Sequence, residues 1–237
     1  MVLRGVRDLI LIRHGESIRN ISESKGPFYQ SNEAREAVGV LQDRLFPLTK
    51  NGHRQARNAG RGLKSQFGIP DLVIHSGFAR TVETTDGILK AYSGKERAKF
   101  QVLENHLIRE RNSGYLMNYT EKEVREMFPW WGDYWHYADK FLVIPMGGES
   151  MISMAEGRST AFLKLLEADS YKKGGNKIFV VSHGRAILGL RYLLEDWSYG
   201  RANYALANEN PPNCSATYYR FGAYGHPHLQ FANRILR

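Results

Sequence analysis

The run "LILIRHGES" (Leu9–Ser17) is an apolar, β-prone stretch that stops abruptly at Arg13, His14, Gly15 and Glu16, residues poorly suited to continuing a buried strand. "KIFVVSHG" (177–184) has the same layout and ends in His183, and "DLVIHSG" (71–77) ends in Ser76, with Arg80 one helical turn into the pattern that follows. Where such ends gather in one crevice, two imidazoles and two guanidiniums face a common point. A phosphoryl group fits that description. Arginine forks hold its peripheral oxygens in bidentate geometry, and a neutral imidazole nitrogen attacks phosphorus directly. His14, flanked by Arg13 and Gly15, is the better nucleophile, and His183 serves as a donor to the transferring group's oxygens. Glycines beside both histidines let the backbone approach a ligand closely. A leaving alcohol also needs a proton, which calls for a carboxylic acid at the rim. Glu110, in "LIRERNSGYL" (107–116), and Glu16 are rivals for that role, and spacing alone does not separate them.

The elements that must position these residues follow from the same pattern. Strand, polar turn and glycine recur, and the second and third units lead directly into helical patterns at 78–92 and 185–197. Near-continuous apolar strands alternating with helices predict an α/β fold: a three-layer α/β/α sandwich around a mostly parallel sheet. In such sheets ligands gather outside the carboxyl ends of the strands. Thr49 as N-cap, with Gly68 and Pro70 as stop signals, brackets a first crossover helix. Thr120 and Glu123 form a capping-box signature for a short helix ending before Pro129, 154–168 reads as another amphipathic helix, and "SATYYRF" (215–221) reads as a last strand.

Length, 237 residues with 42% hydrophobic content, suits one domain spanning 1–237. The lone Cys214 excludes an internal disulfide and fits a reducing compartment. The apolar run at 9–12 is too short for a signal segment or membrane span, so a cytoplasmic protein without membrane association is expected. The net charge of +9 favours anionic partners, nucleic acid or a small phosphorylated anion. The positive residues are scattered, and the densest run, "YKKGGNK" (171–177), reads as a solvated loop before a strand. No nucleic-acid partner is therefore expected. No HExxH or Cys/His spacing supports a metal hydrolase built on His14, His75 and His183, and His75 reads as a locally packed residue.

"LIRHGES" resembles the signature of the histidine phosphatase superfamily, which includes cofactor-dependent phosphoglycerate mutases and many phosphatases. Other blocks follow in that family's order: "PLTKNGHRQA" (47–56), "SGFARTVET" (76–84), "ERNSG" (110–114), "GGES" (147–150) and "VVSHG" (180–184). The resemblance implies a phosphoglycerate mutase-like fold in which His14 becomes a transient phosphohistidine while Arg13, Arg80 and His183 hold the phosphoryl oxygens. It further implies that Glu110 donates a proton and then activates water, that Asn20 adds a phosphate contact, and that Glu149 orients its neighbours. No metal or other cofactor is implied.

After "ERNSG" the sequence runs "YLMNYTEKEV" rather than the mutase branch's continuation, "PPNCSATYYRF" (211–221) resembles the phosphatase pattern, and few residues follow to form a closing tail. A phosphatase acting on a small phosphorylated metabolite is favoured over a mutase, and over a non-catalytic binding module, against which the intact residue set speaks. An insertion-like region at about 115–147 carries the aromatic "FPWWGDYWHYADKF" (128–141). It reads as a subdomain packed over the sheet edge, as a lid or wall for the substrate's non-phosphate part, or as a homodimer contact.

Overall fold

A computed structural model describes residues 1–23, 28–39, 41–173 and 176–236, without the side chains of 132, 135, 136 and 169–173. Six strands form one sheet: β1 (Val6–Arg13), β2 (Leu72–His75), β3 (Gln101–Glu104), β4 (Asn176–Ser182), β5 (Ser215–Phe221) and β6 (Pro227–Ile235). Their spatial order is β3-β2-β4-β1-β5-β6. The first four run parallel, while β5 and β6 are antiparallel additions at one side.

β1 alternates its apolar residues between two cores. Leu9 and Leu11 join Ile178 and Val180 against Phe162, Leu163, Ile187 and Leu190, from α9 (Thr160–Lys173) and α10 (Gly184–Leu194). Ile10 and Ile12 join Phe179 and Val181 against Leu63 and Ile88, from α3 (Lys50–Phe67) and α4 (Ala79–Leu89). Each fully buried aliphatic side chain stabilises by about 1.5–3 kcal/mol, so both faces must be covered, and three layers result.

The remaining helices are α1 (Ile18–Ser22), α2 (Asn32–Val38), α5 (Gly94–Arg97), α6 (Glu121–Met127), α7 (Pro129–Tyr137), α8 (Met151–Met154) and α11 (Tyr199–Asn208). The cap signals operate: Thr49 Oγ1 accepts from Gly52 N–H, Gly68 closes α3 with φ +69°, and the Thr120–Glu123 capping box opens α6. Helices α3 and α4 approach closely because a Cβ at Gly60 would stand 2.5 Å from the Ile88 carbonyl oxygen, and one at Gly87 2.5 Å from the Ala56 Cβ.

Four stretches differ from the sequence expectation. β3 and β6 join the sheet although their residues are largely exposed, so neither shows a buried-strand pattern. The residues after 221 form an antiparallel hairpin with β5. Tyr171–Lys173 extend α9 rather than forming a loop, while residues 174 and 175 of the expected loop lie outside the described residues. The helix expected at 154–168 is α8 and α9 joined by a π turn at Ala155–Ser159.

Candidate active site

Strand register brings the two histidines together. β1 and β4 pair so that Arg13 lies opposite Ser182, and His14 N–H donates to Ser182 O at 2.9 Å. Residues 14 and 183 therefore leave neighbouring strand ends side by side, with ring centroids 5.2 Å apart at an interplanar angle of 63°. β2 pairs with β4 on its other side, His75 opposite Val181, and so brings Ser76 to His183. The expected juxtaposition is present.

The partners of each imidazole fix its tautomer. His14 Nδ1 stands 2.7 Å from Gly15 O, so Nδ1 carries the proton and Nε2 keeps the lone pair. His183 Nδ1 accepts from Arg80 Nε at 3.2 Å, so Nε2–H donates to Ser76 Oγ at 2.7 Å. Ser76 Oγ in turn meets Thr81 Oγ1 at 2.9 Å. Both rings are buried. Burial, then the positive charges of Arg80 and Arg13, hold His14 well below the ordinary histidine value. Burial, then Arg80 and His14, do the same to His183. Both imidazoles are neutral around neutrality, as a nitrogen nucleophile requires.

Arg80 is held on two edges. Nη1 and Nη2 face the Asp43 carboxylate at 3.1 and 3.2 Å, and Nη1 also donates to Asp43 O at 2.6 Å. The opposite edge, through Nε, is turned toward the histidine pair. The ring of Phe78 lies 5.0 Å from the guanidinium carbon and 5.0 Å from the His183 ring. Arg13 donates through Nη1 to Pro211 O at 2.5 Å, while its buried Nε has no hydrogen-bond partner among the described residues.

Asn213 backs the loop, donating from Nδ2 to His14 O at 3.0 Å and to Asn20 Oδ1 at 3.1 Å. Cys214, at φ +56°, donates its N–H to Arg13 O at 3.1 Å. Asn20 Oδ1 also accepts from the N–H and hydroxyl of Ser17, so the amide nitrogen is what Asn20 can offer an anion.

Of these residues Arg13, His14, Asn20, Asp43, Phe78 and Arg80 line a cavity of about 690 Å³, together with Glu110, Arg111 and Arg185. The structure separates the two carboxyl candidates. Glu110 lines the cavity, its Oε1 accepting from Arg111 N–H at 2.8 Å and its Oε2 from Arg185 N–H at 3.4 Å. Glu16 is turned to the start of α3, where Thr49 Oγ1 and Asn51 Nδ2 donate to it at 2.6 and 3.1 Å. Burial first, then the neighbouring positive charge of Arg185, lowers Arg111 to about 10. The adjacency of Arg185 to the second histidine was its only sequence signal, and Asp43 had none.

Two expectations are corrected. Gly15 serves helix packing, since a Cβ there would stand 2.7 Å from Gly52 O; Gly184 makes room for Asn210 and Arg13. The described aromatic side chains of the 128–141 segment do not wall the cavity. Trp131 packs with Phe28, Leu116 and Val124, and Phe141 with Met151, Met154 and Leu188. From the 115–147 region the cavity receives Met117, Glu121 and Lys140 instead. Among the described residues no three His, Cys, Asp or Glu side chains stand together as a metal-ligand set, and His75 Nδ1 accepts locally from Gly77 N–H.

The family model of the histidine phosphatase superfamily (branch 1) matches residues 9–234. The chain belongs to that superfamily. A 2,3-bisphosphoglycerate-dependent phosphoglycerate mutase of Parvibaculum lavamentivorans is 26% identical over 194 residues, 80% of each chain. The corresponding Rhizobium etli mutase is 28% identical over 192 residues, 79% of each. Among solved structures, a mycobacterial glucosyl-3-phosphoglycerate phosphatase in complex with inorganic phosphate superposes with a TM-score of 0.71 at 21% identity, over 96% of this chain and 97% of that one. A phosphoglycerate mutase from Bacillus anthracis superposes at 0.68 and 20% identity, over 97% and 93%. The α/β fold of this superfamily is thus common to phosphatases and mutases.

Proposed function

We propose that the chain is a phosphomonoesterase that works through a phosphohistidine at His14 and needs no metal, acting on a small phosphorylated metabolite. The observation that carries this reading is the His14 Nε2 lone pair, fixed by the Nδ1 contact to Gly15 O and set 5.2 Å, ring to ring, from His183. Nε2 attacks phosphorus and the bond to the ester oxygen breaks; that oxygen leaves with the electron pair and takes a proton from Glu110. Water then attacks phosphorus, gives a proton to the Glu110 carboxylate, and the phosphorus–nitrogen bond returns its electrons to His14. Gly15 O stabilises the positive charge that develops on the ring. The guanidiniums of Arg13 and Arg80 supply the positive charge that the transferring oxygens require. His183 Nδ1 accepts from Arg80, and the negative charge of a bound phosphoryl group favours a proton on that nitrogen, which then donates to an oxygen. The Ser76–Thr81 hydroxyl pair accommodates either tautomer.

A mutase is the second reading, supported by the names of the curated relatives. Incubation with 3-phosphoglycerate separates the two: release of inorganic phosphate from a panel of phosphate esters, with 3-phosphoglycerate among them, supports the esterase. Efficient formation of 2-phosphoglycerate with little phosphate release selects the mutase. Persistent turnover by His14→Ala overturns both.

A further inference from the structure

We propose that Arg158 is the positioning residue that aims Glu110 at the leaving group; the inference rests on the reading of Glu110 as proton donor. Arg158 lies in the π turn at Ala155–Ser159, where the helix between α8 and α9 accommodates an extra residue. Its side chain is only 8% exposed, yet every N–H of the guanidinium has a partner. Nη1 donates to Leu107 O at 2.8 Å and Arg109 O at 2.7 Å, and Nη2 donates to Glu110 O at 3.1 Å. The other two donors meet Glu149, Nε to Oε2 at 3.2 Å and Nη2 to Oε1 at 2.9 Å.

Three of five donors therefore go to backbone carbonyls of the short irregular segment that delivers Glu110. A buried guanidinium is costly unless its donors and charge are satisfied. Glu149 balances the charge and grips the same loop further on, accepting from Asn112 N–H at 2.9 Å, while its own N–H donates to Asn112 O at 2.9 Å. Burial opposes ionisation of Glu149, but Arg158 and the Asn112 N–H outweigh it and hold the carboxyl below its ordinary value. The pair thus brackets Glu110 on both sides. Ser182, beside the second histidine, adds a hydrogen bond to Ile108 O at 2.7 Å. Neither Arg158 nor Glu149 is among the residues lining the cavity; Arg158 touches the Glu110 loop directly, and its charge also opposes protonation of His183, an effect that does not depend on the leaving group.

The test is the dependence of kcat/KM on leaving-group basicity, because kcat/KM reports steps through transfer to His14, and only a basic alkoxide needs the acid in that step. Wild type, Glu110→Gln, Arg158→Met and the double variant are assayed with aryl phosphates and with alkyl phosphates. Glu110→Gln is expected to lose about 100-fold or more with alkyl esters and little with aryl esters. Arg158→Met is expected to steepen the dependence in the same sense, losing at least about tenfold on alkyl esters, and the double variant to fall no further than Glu110→Gln. A uniform loss across both ester classes in Arg158→Met overturns the inference and leaves Arg158 a structural residue. A flat profile for Glu110→Gln itself sinks the donor reading and this inference with it. If Arg158→Met does not fold, Arg158→Lys, which keeps the charge but not the fork, is put through the same comparison.

Discussion

The two halves of the site are built differently. His14, His183 and Ser76 sit one residue past the ends of three neighbouring parallel strands, and their relative placement follows from strand register. Glu110 sits in an irregular loop, and what fixes it is a side chain arriving from a helix on another part of the chain. One half is positioned by the backbone ladder of a buried sheet, the other by about half a dozen side-chain hydrogen bonds. Rigidity in the first is inherited from the core; in the second it is local and removable by one substitution.

The strand side is where a single substitution costs most. His14→Ala is expected to lower turnover by about 10⁴-fold or more, because it removes the proposed nucleophile; acid-quench detection of a phosphohistidine in wild type and not in the variant checks the cause. Next, Gly52→Ala would bring a Cβ to 2.0 Å from Glu16 O and press helix α3 against the nucleophile loop. A loss of about 1–3 kcal/mol is expected, read as a fall of several degrees in Tm, with a larger effect on kcat than Arg158→Met shows on aryl esters.

Asp43→Ala probes the edge of Arg80 turned away from the histidines. A fall of about tenfold in kcat/KM is expected, chiefly through KM, since the guanidinium loses the contacts that orient it. A rise would mean that the carboxylate competes with the substrate.

The smallest effect concerns pH. His14 and His183 both lie below the unfolded value of 6.5. Below that value the unfolded chain binds protons that the native chain excludes. Their contribution to stability is therefore complete above pH 6.5 and is lost as pH falls through it toward the folded values. A denaturation series from about pH 7 to about pH 5 should show a shallower slope in His14→Asn than in wild type.

The strand side was legible in the sequence because its signals are local. An apolar run stopping at Arg13-His14 or Ser182-His183 announces a strand and a site at once. β3 and β6 were not legible because they are edge additions whose residues are mostly exposed, leaving no burial pattern to read. Glu110 was readable only as one of two carboxyls, since what separates it from Glu16 is the tertiary contact of Glu16 with Thr49 and Asn51. Asp43 and Arg158 were invisible for a related reason. Both work through contacts to groups distant along the chain, and no spacing rule encodes a hydrogen bond from an arginine to backbone carbonyls some 50 residues upstream.

The grip of Asp43 on the far edge of Arg80 bears on what happens after a reaction is complete. A cation released by a departing product ordinarily swings off in search of another partner and must be recaptured before the next substrate arrives. Here the counter-charge stays attached behind it. Resetting the pocket is then a matter of exchanging one small anion for another, with no side-chain search between successive turnovers.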